Sequence, residues 1–171
     1  MKEEGLLAEI RVTTENDWQA LKRVRLAALL DAPTAFGVTH ASAAAYTEQA
    51  WRDRAAGRGP ARYLLAFDGD EVVGIVAHVP GASQDLYLIA MWVAPSQRGK
   101  AIATRLVDAV KAYAALNGHH RVLLDVSPQN IQASAFYQKQ GFTFLRQWEA
   151  LESHPHIQVQ KMAWTVAQSQ G

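Results

Sequence analysis

Apolar positions change their period several times along this chain, and each change marks an element. Ile10 and Val12 alternate with polar neighbours, the period of a half-buried strand. Thr13 and Thr14 then precede the acidic Glu15 and Asp17, which suits a helix N-terminus. Trp18, Leu21, Val24, Ala28 and Leu29 follow at helical spacing until Pro33 stops them. From Asp31 to about Tyr46 the pattern is mixed. A second helix is predicted over residues 47–56, ending near Gly57. Residues 63–67 and 71–79 read as strands joined by Asp68-Gly69-Asp70, the chemistry of a tight hairpin turn. Residues 86–93 are almost unbroken in apolar character, which predicts a central strand buried on both faces. Helical spacing returns over residues 99–117, with Ile102, Leu106, Val107 and Val110 on one side and Gly118 as the stop. Residues 122–126 read as a strand and 130–140 as a helix closed by Gly141. Residues 142–148 and 157–166 read as two final strands. The order β-α-α-β-β-β-α-β-α-β-β implies an α/β (α+β) fold, a mixed sheet with helices on both faces.

Composition narrows the function. A length of 171 residues is that of a single domain, residues 1–171, and 49% hydrophobic with 19% charged residues is ordinary for a globular protein. A net charge of +1 argues against a broad nucleic-acid surface. The absence of cysteine excludes a disulfide framework, a thiolate nucleophile and Cys-ligated metal sites. No apolar run at the N-terminus has signal-peptide length, and none elsewhere has membrane-spanning length, so the expectation is a cytoplasmic protein without a membrane partner. His154-Pro155-His156 offers two imidazoles with no third ligand at fixed spacing and reads as a solvated loop; no metal is expected.

The informative junction follows residues 86–93. Ala94-Pro95-Ser96 leads into Gln97-Arg98-Gly99-Lys100-Ala101-Ile102-Ala103-Thr104. The first N–H groups of a helix have no intrahelical partners and carry partial positive charge, so a strand that feeds a helix through small residues makes an anion site. Gly99, Ala101 and Ala103 keep bulk away from the backbone, and Arg98 and Lys100 add charge. The bland reading is a flexible helix start with solvated cations. Two rival phosphate motifs do not fit: Gly99-Lys100 lacks the upstream glycine and the following Ser/Thr of a nucleotide P-loop, and no Gly-x-Gly-x-x-Gly occurs.

Arg98-Gly99-Lys100-Ala101-Ile102-Ala103 resembles the Arg/Gln-x-x-Gly-x-Gly/Ala segment of the GNAT superfamily of acetyltransferases. Met91-Trp92-Val93-Ala94-Pro95 is similar to that family's approach to the segment. Downstream, Asn130-x-x-Ala133-x-x-Phe136-Tyr137-x-x-x-Gly141-Phe142 resembles its second cofactor motif. The likeness covers most of the chain, residues 8–166, and is weakest over 31–57. It implies a mostly antiparallel sheet of about seven strands with about four flanking helices, and acetyl-CoA as co-substrate. The family's first motif glycine is Ala101 here, an exchange expected to be tolerated because a helix start does not require positive φ.

By the same resemblance, acetyl-CoA contacts Met91, Trp92 and Val93, the run Arg98, Gly99, Lys100, Ala101, Ile102, Ala103 and Thr104, and then Asn130, Phe136 and Tyr137. A bulge splays the 86–93 strand from the 122–126 strand, and backbone groups of Met91 and Val93 pair with the pantetheine arm. One N–H there polarises the thioester carbonyl. Asn130 reads both as a helix N-cap and as a partner of the arm. Ala133 and Phe136 have the spacing of packing residues. Tyr137 is the expected general acid: a phenol of pKa about 10 can protonate a departing thiolate of pKa about 8.5. For the general base, Asp85, Asp125, His78 and Tyr87 are candidates, with a water relay as the default. The acceptor, a small-molecule or peptide amine, is expected between residues 31–48 and a loop over 148–157, where Phe36, Tyr46, Trp51 and Glu152 are candidate lining. Family habit adds a homodimer through the last strands. The alternative is a non-catalytic acyl-CoA sensor, which could dispense with Tyr137.

Overall fold

The computed structural model describes residues 8–167. Its strands are β1 (Glu9–Val12), β2 (Arg62–Asp68), β3 (Glu71–Pro80), β4 (Asp85–Val93), β5 (Arg121–Val126), β6 (Thr143–Leu151) and β7 (His154–Thr165). Its α-helices are α1 (Trp18–Asp31), α2 (His40–Ala44), α3 (Glu48–Ala56), α4 (Ile102–Leu116) and α5 (Ile131–Lys139). The strands form one seven-stranded sheet in the order β1-β2-β3-β4-β5-β7-β6. Neighbours are antiparallel except β4 and β5, which run parallel. The element order implied a mixed sheet, and the resemblance implied its mostly antiparallel pairing and about seven strands.

Two apolar clusters cover the two faces. Along β2, Leu64 and Ala66 belong to the cluster under α4 and α5, while Leu65 and Phe67 belong to the one under α1 and α3. This is the period-two alternation of a sheet buried on both sides. Gly74 lets α4 approach β3 closely: a Cβ there would lie 3.3 Å from Leu106 Cδ1 and 3.4 Å from Ile102 Cγ2. The start of α4 is thereby held against the sheet.

Three boundaries differ from the sequence reading. Helix α2 forms within the segment read as mixed; it has no apolar stripe, and the Thr39 hydroxyl starts it by accepting from Ser42 N at 3.1 Å. Helix α4 begins at Ile102 and not at Gly99, because Gly99 and Ala101 both take left-handed backbone, with φ of 84° and 65°. The expected loop over 148–157 is mostly a hairpin, with Leu151 paired to His154, so His154 and His156 lie on β7. Exposed residues dominate β6, so no apolar run announces this extension.

Candidate active site

The site begins where β4 leaves β5. The two strands pair only at Asp85, Leu86 and Tyr87. Further along, Ile75 of β3 opposes Trp92 while Ala77 opposes Ile89, so β4 carries an extra residue. Ala90 lies in that bulge with φ 61°. A bulge bends the strand that contains it, and β4 diverges from β5 from there on. The strand is therefore not buried on both faces: Leu86, Leu88 and Trp92 are buried, but Ile89 is 36% exposed. The gap is a cavity of about 420 Å³ whose walls include Met91 and Trp92 of β4, Val126 of β5, and Asn130 and Tyr137 at α5.

One end of β4 continues into a turn that leads to an uncapped helix start. Helices α2, α3 and α5 are each capped by a side chain, from Thr39, Thr47 and Asn130. Helix α4 starts on Ala101 with no such cap. The first N–H to reach back is that of Arg105, to Ala101 O at 3.0 Å, leaving the N–H groups of Ile102, Ala103 and Thr104 for a ligand. A Cβ on Gly99 would meet nothing within 4 Å, so this turn is open. The side chains nearby have other work. Ile102 is buried in the core, and Thr104 Oγ1 accepts from Gln140 Nε2 at 3.2 Å. Lys100 is exposed. Arg98 donates through Nε to Val93 O at 3.0 Å and through Nη2 to Asp31 at 2.9 Å. Its charge thus has a carboxylate partner. For Ala101, the expectation that this helix start needs no positive φ is corrected, since its φ is 65°.

Of the α5 residues, Asn130 caps the helix by accepting from Ala133 N at 3.2 Å, and it also lines the gap. Tyr137 lines the gap with 9% exposure, its ring edge-on to Phe136 at 5.2 Å and to Phe142 at 5.8 Å. Burial raises its phenol pKa above the usual value, so it stays protonated at working pH. Phe136 packs against the core and, like Val93, is not part of the gap's wall.

A second cavity of about 610 Å³ adjoins the first and is lined by Arg25, Phe36, Tyr87, Asp125, Glu149 and Glu152. Phe36, Ile89, Ala90 and Asp125 line both cavities, so the two meet at the bulge. The Ser153 hydroxyl donates to Phe36 O at 2.6 Å and ties the β6–β7 turn to the loop after α1. Among the base candidates, Asp125 and Tyr87 reach this space. Asp85 does not; it holds Arg121 through two contacts of 3.0 and 2.9 Å. Nor does His78, buried beside Tyr113 at 4.1 Å and pushed down to about 4 by burial and then by His119 and Arg62. Of the proposed lining, Phe36 and Glu152 are in place. Trp51 is 1% exposed in the core, with Tyr46 packed on it at 5.4 Å. Sequence reasoning missed Arg25 and Glu149. A cation among Leu21, Val24, Ala28 and Leu29, the buried positions of α1, was the available signal for the first.

Among the described residues, no group of three or more His, Asp or Glu side chains is placed to share a metal ion, and no helix is long and apolar enough to cross a membrane. The profile of the Acetyltransferase (GNAT) family matches residues 25–142. The L-2,4-diaminobutyric acid acetyltransferase of Shouchella clausii (strain KSM-K16) is 36% identical over 78 residues, 44% of this chain and 44% of that protein. The mycothiol acetyltransferase of Rhodococcus erythropolis (strain PR4 / NBRC 100887) is 37% identical over 86 residues, 50% of this chain and 27% of that protein. The chain thus spans less than half the length of these two curated relatives. A GNAT-family acetyltransferase from Streptococcus pneumoniae superposes with a TM-score of 0.75 at 20% identity, covering 94% of this chain and 100% of that one, a likeness of fold.

Proposed function

We propose that this chain, which belongs to the GNAT family of acetyltransferases, moves an acetyl group from acetyl-CoA to a primary amine by direct attack in a ternary complex. The observation that carries the reading is the gap between β4 and β5, with Tyr137 in its wall and the uncapped start of α4 following β4. The pyrophosphate takes the free N–H groups of Ile102, Ala103 and Thr104, and the pantetheine arm lies along β4 where β5 has left it. Backbone groups near the bulge polarise the thioester carbonyl.

The amine enters from the second cavity. Asp125 attracts it, and its surplus proton leaves through water in the open cavity. The amine lone pair forms the new C–N bond, and the tetrahedral intermediate collapses by breaking the C–S bond. The Tyr137 hydroxyl donates a hydrogen bond to the departing sulfur, and the second proton, shed by the nitrogen as the amide forms, leaves through the same water, from which the thiolate takes its proton. Because burial raises the phenol above the ordinary value of about 10, complete transfer to a thiolate of about 8.5 is uphill. The main contribution of Tyr137 is therefore a hydrogen bond to developing charge. With no cysteine in the sequence, the enzyme itself has no thiol to accept the acetyl group in a ping-pong route.

An amine panel with acetyl-CoA tests this, read as released coenzyme A with a thiol reagent; the cysteine-free chain adds no background. Acetyl-CoA should also raise Tm, by an amount equivalent to about 2.7 kcal/mol at a hundredfold excess over Kd. No thermal shift at millimolar acetyl-CoA removes the reading. Binding without turnover of any amine favours the sensor.

A further inference from the structure

Arg25 is the anomaly of the second cavity. It lies on α1, its guanidinium 4.9 Å above the Phe36 ring, and its Nη1 is buried without a hydrogen-bond partner among the described residues. Arg11, Arg52, Arg58, Arg98 and Arg121 each face a carboxylate within salt-bridge distance; Arg25 forms no such pair among the described residues. The ionisable groups that act on it are the Tyr63 and Tyr46 hydroxyls and the Arg54 guanidinium, and the last of these is a like charge. Desolvation outweighs them and pulls its pKa down from the usual arginine value. The stack on Phe36 offsets only part of the cost of taking this Nη1 out of water without a hydrogen-bond partner. A role confined to packing leaves the remainder unexplained.

We propose that Arg25 receives the carboxylate of the acceptor, so that the amine substrate is a small amino acid and not a simple amine. This rests on the acetyltransferase reading. The rest of the lining refines the class. Asp125, Glu149 and Glu152 face the same space as this one cation. Asp125 is partly neutralised by Lys161 Nζ at 3.2 Å, while Glu149 and Glu152 are exposed. A dianionic phosphate is repelled there. An acceptor with one carboxylate and two ammonium groups matches both signs, the carboxylate on Arg25, one amine at the bulge and the other toward Glu149 and Glu152.

The test compares L-lysine and shorter L-diamino acids with their amides and with the corresponding diamines, which lack the carboxylate. The diamino acids should show kcat/KM about 10- to 100-fold higher, the range a charge-assisted hydrogen bond supplies. Arg25→Met keeps an apolar stem on Phe36 and removes the partly buried, unpaired charge, so it should fold with unchanged or higher Tm and bind acetyl-CoA as before. It should lose the preference for the carboxylate, chiefly in KM. Should that variant not fold, Arg25→Lys serves, and the wild-type comparison of acid with amide stands by itself. A wild-type enzyme indifferent to the carboxylate, an Arg25→Met enzyme that keeps the preference, or better turnover of O-phosphoethanolamine each overturns the assignment while leaving acetyl transfer intact. Failure of acetyl-CoA to bind at all instead removes the underlying reading.

Discussion

Asp31 and Arg98 are held together at 2.9 Å, and the same carboxylate oxygen also accepts the Trp92 indole N–H at 2.9 Å. The end of α1, the end of β4 and the turn before α4 are thus joined at one atom. Arg98 in this arrangement positions the turn.

Double-mutant analysis separates positioning from direct phosphate binding. If Arg98 positions the turn, Arg98→Ala and Asp31→Ala each weaken acetyl-CoA binding, and the double variant is little worse than either alone. The effect of each should be modest, about 1 kcal/mol for a half-exposed pair with some loop ordering added. Tighter binding by Asp31→Ala, measured calorimetrically, would mean that it had released a cation the phosphates prefer.

Ala101 occupies left-handed backbone at φ 65° and ψ 9°. An L-residue there costs roughly 1–2 kcal/mol, against which glycine loses about 0.5–1 kcal/mol in chain entropy. Ala101→Gly should therefore stabilise by about 0.5–1 kcal/mol, seen as a raised denaturation midpoint, with acetyl-CoA affinity nearly unchanged. Ala101→Glu places bulk and negative charge beside the free N–H groups and should abolish binding. Normal acetyl-CoA affinity in Ala101→Glu would require the pyrophosphate to bind elsewhere.

Tyr137→Phe removes one oxygen and leaves the ring packed between Phe136 and Phe142. Fold and cofactor affinity should hold. Turnover should fall toward the lower end of the 10²–10⁴ range of a positioned acid, about 10²-fold, because burial makes this phenol a reluctant donor. The loss should lie in kcat more than in KM, and it should shrink for thioesters with more acidic thiols. A variant with weakened acetyl-CoA binding and unaltered single-turnover chemistry would make Tyr137 a binding residue.

His78 gives stability a dependence on pH. Its native pKa is pushed down to about 4, from an ordinary 6.5, by burial first and then by His119 and Arg62. Between those values the unfolded chain binds a proton that the native state refuses, so stability falls as pH drops from about 6.5 toward 4, by up to about 3 kcal/mol. Urea midpoints for wild type and His78→Leu across that window should converge or cross. Parallel curves would count against this origin.

The strands and the long helices were legible because β2, β3, β4 and α4 carry strong apolar periods. The bounds of α5 were legible because Asn130 and Gly141 mark its ends in sequence as well as in space. The second cavity was much less so. Arg25, Asp125 and Glu149 come from three elements far apart in the chain, and nothing local announces that they share a cavity. The backbone angle of Ala101 was hidden for another reason: alanine disguises a position whose φ a glycine would have advertised.

The early parting of β4 from β5 has a consequence for hydrogen exchange. Strands in the middle of a sheet normally hold the slowest amides in a protein. Here the middle of the sheet contains an edge: past Tyr87, the β5 side of β4 has no ladder partner among the described residues. Amides around Ile89 to Trp92 that face the gap should exchange orders of magnitude faster than those of β3 beside them, and an occupant pairing with this edge would slow them. In deuterium uptake, the core of the fold would then behave as its own occupancy gauge.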